Sequence, residues 1–121
     1  MKNKPPVYSE PQITRHLEEK LPHWWFEDGL IQRRYKVNGW KSSIMIANAI
    51  AHLAETAWHH PDLHVSFSSV TVTLSTHTVN GITDLDFELA ERIEAFVHWQ
   101  PDQSSLPGTP DSDRHRYIVY D

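Results

Sequence analysis

Apolar residues recur along this chain with two alternating periods, and each switch between them marks the edge of an element. Ser9 followed by Gln12 has the form of a capping box, Pro11 suits a first helical turn, and Ile13, Leu17 and Leu21 continue at helical spacing. A helix is predicted over Ser9 to Leu21. The aromatic-rich run His23 to Glu27, the turn signal Asp28-Gly29 and the returning run Leu30 to Val37 predict a β-hairpin. Beyond Asn38-Gly39, the residues Ile46, Ala47, Ile50, Ala51, Leu53, Ala54 and Ala57 form a broad apolar stripe, the mark of a central and largely buried helix. Pro61 ends it. Leu63, Val65 and Phe67 then alternate with polar residues, as do Val70, Val72 and Leu74, and the parity changes across Ser68-Ser69. A turn there gives a second hairpin whose strands keep their apolar residues on one face. Asn80-Gly81 reads as a loop, Thr83 with Asp86 as an N-cap pair, and Phe87, Ala90, Ile93 and Val97 as the stripe of a third helix.

The order α-β-β-α-β-β-α predicts an α+β fold, a four-stranded antiparallel sheet with three helices on one face. Its other face and its edges are left for solvent or a second copy, so a homo-oligomer is expected. The chain divides into an arm at 1–8, a domain at 9–98 and a tail at 99–121, where Pro101, Pro107, Gly108 and Pro110 interrupt any period. Tyr117 to Tyr120 close the tail. They fit a sheet edge, a pocket cover or a loosely packed terminus equally well.

Length, with 121 residues, fits one domain, and an apolar fraction of 39% with five tryptophans suffices for its core. A net charge of -5 speaks against a nucleic-acid partner, the one basic cluster being Arg33, Arg34 and Lys36, which reads as a solvated strand face. Without cysteine there is no disulfide, thiolate metal site or cysteine nucleophile. The polar N-terminus lacks an apolar leader core and no stretch is apolar enough to span a membrane, so a cytoplasmic protein without membrane contact is expected.

Nine histidines are many for this length, and they gather where the chemistry would be. Glu55 and His59 lie four apart and share one helical face, with His52 a turn earlier, and His59-His60-Pro61-Asp62 leads into a strand. Thr76-His77-Thr78 ends the partner strand, so pairing of the two strands brings His77 toward His59 and His60. Imidazoles titrate near about 6.5, and a cluster of them can hold one protonated and one neutral ring, the requirement for an acid and a base acting together.

In order and spacing, Glu55, His59-His60-Pro61, the alternating strands, Ser75-Thr76-His77, Gly81-Ile82-Thr83, Asp86 and Leu89-Ala90 resemble the signature of the pterin-4a-carbinolamine dehydratases. With the upstream helix and hairpin, the resemblance covers about Ser9 to His98. It implies the same four-stranded sheet with three helices on one face, assembled as homodimers or homotetramers. The activity implied is loss of water from a 4a-hydroxytetrahydropterin to give the quinonoid dihydropterin, with no metal or organic cofactor. By position it makes His59 and His77 the acid/base pair, with His60 beside them on the pterin or the leaving hydroxyl. Glu55 would fix the pterin or the histidines, and the backbone of Ser75, Thr76 and His77 would meet the edge of the heterocycle. Trp58 and Pro61 flank the histidine pair and join the substrate-binding set. Asp86 would support the site, although an acid at that place is also an ordinary helix cap. The chain departs from the family pattern at Trp58, where a small or polar residue is common, and at Leu63 and Leu85, often tryptophan and arginine. Trp58 therefore bears on which pterin is taken.

Two other readings stand beside this one. Members of the family include a Rubisco assembly factor and dimerisation cofactors of a transcription factor, so a non-catalytic protein with a protein client is the first alternative; the retained histidines weigh toward catalysis. The second is a metal site at His52, Glu55, His59 and His77, since positions i, i+3 and i+7 of one helix can present ligands together.

Overall fold

Ser9 caps the first helix, α1 (Glu10–Lys20): its hydroxyl accepts from the Gln12 N–H at 3.4 Å, and the Gln12 side chain accepts from the Ser9 N–H at 2.8 Å. The computed structural model describes residues 4–121, so residues 1–3 of the N-terminal arm lie outside the described residues. Strands β1 (Trp25–Glu27) and β2 (Leu30–Lys36) pair antiparallel across Asp28-Gly29, whose φ angles of 54° and 77° are those a tight two-residue hairpin turn needs. Helix α2 (Trp40–Ala57) follows, then β3 (Asp62–Ser66), β4 (Ser69–Leu74) and helix α3 (Asp84–Val97). The sheet order is β1-β2-β4-β3, antiparallel throughout. The α+β architecture is the one the sequence predicts.

Register explains which sheet face is buried. Ile31 pairs with Leu74, Arg33 with Val72 and Tyr35 with Val70, while Leu63 and Val65 pair with the same two valines from the other side. These side chains share the helix-covered face, and Ile31, Val70 and Val72 are completely buried there with Ile50 of α2 and Ile93 of α3. Each such side chain contributes about 1.5–3 kcal/mol through removal from water. The opposite face carries Gln32, Arg34, Lys36, Asp62 and His64.

The structure corrects three expectations and decides a fourth that the sequence left open. The β3–β4 turn is Phe67-Ser68, one residue earlier than the parity change suggested, because Ser66 pairs with Ser69; Phe67 sits in the turn, exposed, and is not a strand residue. Helix α2 starts at Trp40 and buries only one stripe, Ser42, Ser43, Ile46, Ile50 and Ala54, leaving Trp40, Ile44 and Met45 exposed. Arg33 is no part of a solvated face. Strand alternation turns it opposite to Arg34 and Lys36, into the core, where it is 2% exposed. The end of the tail is docked: Ile118 forms an antiparallel bridge with Val37 at the end of β2, and Asn38 and Val119 donate to the carbonyls of Tyr117 and Lys36. Tyr117 to Tyr120 add to the sheet edge and also line a cleft, so the loosely packed terminus is the reading that falls. No helix of the described residues is long and apolar enough to cross a membrane.

Candidate active site

Helix α2 ends in a left-handed cap. Trp58 has φ 56° and ψ 45°, and both its N–H and that of His59 return to the Ala54 carbonyl. An L-residue with a Cβ loses about 1–2 kcal/mol in this conformation, which is why glycine or asparagine usually occupies it. The reversal sends the next two side chains to different carboxylates. His60 Nε2 lies 2.6 Å from Glu55 Oε1 of the preceding helical turn, an exposed pair. His59, only 15% exposed, places Nε2 2.7 Å from Asp86 Oδ1.

Asp86 is wholly buried in the first turn of α3. Its Oδ2 accepts from the Thr83 N–H at 2.9 Å and from the Thr76 hydroxyl at 2.8 Å. The Thr83 hydroxyl accepts from the Leu85 N–H and lies 2.8 Å from Thr76 Oγ1. Since Thr76 gives its only proton to Asp86, Thr83 donates to Thr76, and the chain of donors runs one way, from Leu85 to the carboxylate. With Oδ2 doubly satisfied, Oδ1 remains for His59. A carboxylate only accepts, so Nε2 carries a proton, and in the neutral ring Nδ1 is the nitrogen with the lone pair.

The same network joins three segments distant in sequence. Thr76 pairs with Gly81 just beyond β4, and its hydroxyl ties that strand end to α3 and, through Asp86, to the end of α2. The turn back from Thr76 closes with Asn80 at φ 50° and the His77 carbonyl accepting the Asn80 N–H. Gly81 meets Val7 of the arm so closely that an added Cβ would stand 2.6 Å from Val7 Cγ1. Tyr8 then donates its N–H to Ile82 and its hydroxyl to Asp84.

Of the residues singled out in the sequence, the structure joins His59, Asp86 and Thr76 in one network and Glu55 with His60 in another. His77 and Trp58 are exposed, Ser75 and Pro61 half-buried. Among the described residues, no hydrogen bond connects the His77 ring to His59 or His60. Asp86 acts both as cap and as partner of His59, so the two readings of it coincide. Thr83 was read only as a cap, and its hydroxyl link to Thr76 had no local signal. The metal alternative is corrected: Glu55 and His59 turn to different partners, and among the described residues no three His, Asp or Glu groups gather to hold an ion.

A second polar cluster centres on the buried Arg33. Arg33 makes two hydrogen bonds to Glu94 of α3, at 3.0 and 3.2 Å, and two to Asp121, at 3.0 and 2.8 Å. Tyr35 and Trp24 also donate to Glu94 Oε1, at 2.7 and 2.9 Å. Burial pushes the Glu94 carboxyl up, but the hydrogen bonds from Arg33, Tyr35 and Trp24 outweigh it and hold it below the ordinary carboxylate range. A cleft of about 1180 Å³ lies between α2, the end of α3 and the tail, lined by Ile46, Phe96, Trp99 and Tyr120 among others. It shares no residue with the histidine corner.

Known proteins resemble this chain in sequence and in fold. Residues 6–96 fit the family described as pterin 4 alpha carbinolamine dehydratase. A protein of Aquifex aeolicus, provisionally named a pterin-4-alpha-carbinolamine dehydratase, is 47% identical over 89 residues, covering 74% of this chain and 89% of its own. The solved structure of a transcriptional coactivator/pterin dehydratase from Brucella melitensis aligns with a TM-score of 0.68 at 28% identity, covering 74% of this chain and 97% of that one. A pterin dehydratase-like protein identified as a RuBisCO assembly factor in the alpha-carboxysome has the same fold, with a TM-score of 0.51 at 18% identity over 62% of this chain and 87% of that one. With three quarters of its length matched in these ways, the chain belongs to the pterin-4a-carbinolamine dehydratase family.

Proposed function

We propose that the protein removes water from a 4a-hydroxytetrahydropterin, and that His59 is the base of this reaction. The observation that carries the reading is the pairing of His59 with the buried Asp86 carboxylate. Dehydration breaks the bond from C4a to the hydroxyl oxygen, which leaves as water after receiving a proton. The N5 proton departs, and its electron pair forms the N5=C4a double bond of the quinonoid product. His59 Nδ1 holds a free lone pair for the N5 proton, and the imidazolium so formed is stabilised by the charge of Asp86 at 2.7 Å. His77, exposed and outside both carboxylate pairs, supplies the proton to the leaving oxygen and is recharged from water. His60, held by Glu55, contacts the pterin, and Ser75 and Thr76 offer main-chain groups to its edge. The working protein is a homodimer or homotetramer of cytoplasmic location.

The test is direct. Purified protein should accelerate the dehydration of a 4a-hydroxytetrahydropterin above the buffer rate, and His59→Ala or His77→Ala should lower that rate by about 10²–10⁴-fold with the fold intact. The double variant should lose much less than the product of the two, since the residues act as one unit. A wild-type protein with no acceleration on any of several pterins ends this reading and leaves the assembly role carried by the fold's other members.

A further inference from the structure

The loop that carries His77 has little of its own to hold it. His77, Thr78 and Asn80 are exposed, so most of its side chains face water and not the core. Its base is the main-chain pair of Thr76 and Gly81, with the Thr76 N–H donating to the Gly81 carbonyl at 2.8 Å and the Gly81 N–H to the Thr76 carbonyl at 3.4 Å. The two legs are fastened differently. Thr76 is tied to Asp86 by its buried hydroxyl, whereas Gly81 has no side chain with which to tie anything. Behind that second leg stands the N-terminal arm. Val7 packs on Gly81, occupying the space a Cβ there would need. Tyr8, half-buried, donates its N–H to the Ile82 carbonyl at 2.9 Å and its hydroxyl to Asp84 in the first turn of α3. Its ring stands edge-on to the buried Phe87 at 5.0 Å and 67°, and Phe87 stacks on His16 of α1 at 3.9 Å. The arm therefore clamps the Gly81 leg to the α1–α3 packing, although neither Val7 nor Tyr8 bonds to a histidine of the corner or to Asp86.

We infer, on the dehydratase reading in which His77 is the acid, that Tyr8 is a positioning residue: with Val7 it braces the Gly81 leg of the loop and so fixes where His77 meets the leaving hydroxyl. Misplacing a catalytic group by about 1 Å can cost about 10²-fold in rate, so a brace remote from the reacting atoms acts on kcat. His77 serves the leaving oxygen and does not hold the ring, so KM is spared. Tyr8→Ala should lower kcat for a 4a-hydroxytetrahydropterin by about 10- to 100-fold, with KM changed by no more than about twofold. Amide hydrogen exchange at Val79, Asn80 and Gly81 should quicken, while the amides of β2 and β4 keep their protection. Tyr8→Phe, which retains the main-chain bond and the ring on Phe87, should recover most of kcat, and Tyr8→Leu serves the same test if Tyr8→Ala does not fold. In a His77→Ala background, Tyr8→Ala should cost almost nothing more, since the group it positions is gone. Wild-type kcat in Tyr8→Ala, or an equally large loss on top of His77→Ala, overturns the inference and leaves the dehydratase reading in place. Faster exchange throughout the sheet also overturns it and makes Tyr8 a stabilising residue alone. If the wild-type protein does not dehydrate the substrate, both readings fall together.

Discussion

Helix α3 carries two hydrogen-bonded carboxylates, the wholly buried Asp86 in its first turn and the half-buried Glu94 in its last third, and they are satisfied in different ways. Asp86 has neutral donors, a hydroxyl and an N–H, on one oxygen, and offers the other to an imidazole. Glu94 faces a guanidinium, a phenol and an indole, the first permanently charged, with the His98 imidazole 3.3 Å from its other oxygen. A carboxylate whose only cationic partner can gain and lose its charge is arranged for proton transfer. One compensated by a fixed cation is arranged for rigidity, and here for holding the tail through Asp121. The helix terminus favours the first arrangement, since the aligned peptide dipoles stabilise negative charge at Asp86 without any salt bridge.

The sharpest way to break the comparison is to remove the fixed cation. Arg33→Ala leaves Glu94 without its charge partner and should cost about 3–5 kcal/mol in urea unfolding. Replacing Arg33 with Met and Glu94 with Leu together should recover most of that loss. Turnover per folded molecule should stay near wild type, because neither residue belongs to the histidine corner. A large fall in turnover at full folding would mean that the two clusters are coupled through α3.

Asp86→Asn tests the other end at constant shape. The amide oxygen must remain where it accepts from Thr83 and Thr76, so its NH₂ points at His59 Nε2. The imidazole proton is then driven to Nδ1, and dehydration should slow by about 10²–10⁴-fold with little change in stability, since asparagine also serves a helix start. Were Asp86 only a cap, the rate would barely move. Paired measurement of rate and melting temperature distinguishes the two.

The smallest effects belong to the tail. Hydrogen bonds from Arg33 hold the Asp121 carboxyl below its ordinary range, as they do, against burial, for Glu94. Both contributions are therefore fully present above the unfolded values of 3.8 and 4.5 and are lost as pH falls below them. Stability should be flat above about pH 5 and decline in more acid solution. Asp121 is half exposed, so Asp121→Asn should cost no more than about 1 kcal/mol at neutral pH, less at high salt. Its acid decline should be shallower than that of the wild type.

The sequence made legible whatever is local or periodic. Three helices, two hairpins and the Thr83–Asp86 cap follow from spacings of a few residues. The pairing of β3 with β4 was legible from alternation, and Asp62 meets Thr73 where simple antiparallel pairing puts them. Arg33 was misread because alternation was applied to the apolar residues alone. It stands between Ile31 and Tyr35 on the buried parity, and that signal was available. The exposed flank of α2 was overlooked because small residues such as Ala47 and Ala51 continue an apolar stripe without demanding burial. Nothing in the tail pointed to Asp121, since its partner lies 88 residues away and no period links them.

That separation has a consequence for how the molecule comes together. Closing a loop of this length costs entropy that grows only slowly with length, but the contact cannot begin until the last of its residues leaves the ribosome. The sheet and its three helices use residues 10–97 and are available for folding first, with Arg33 already on Glu94. Docking of the tail then becomes a separate, late step upon a finished scaffold. Until the tail docks, the guanidinium has one carboxylate and one open side.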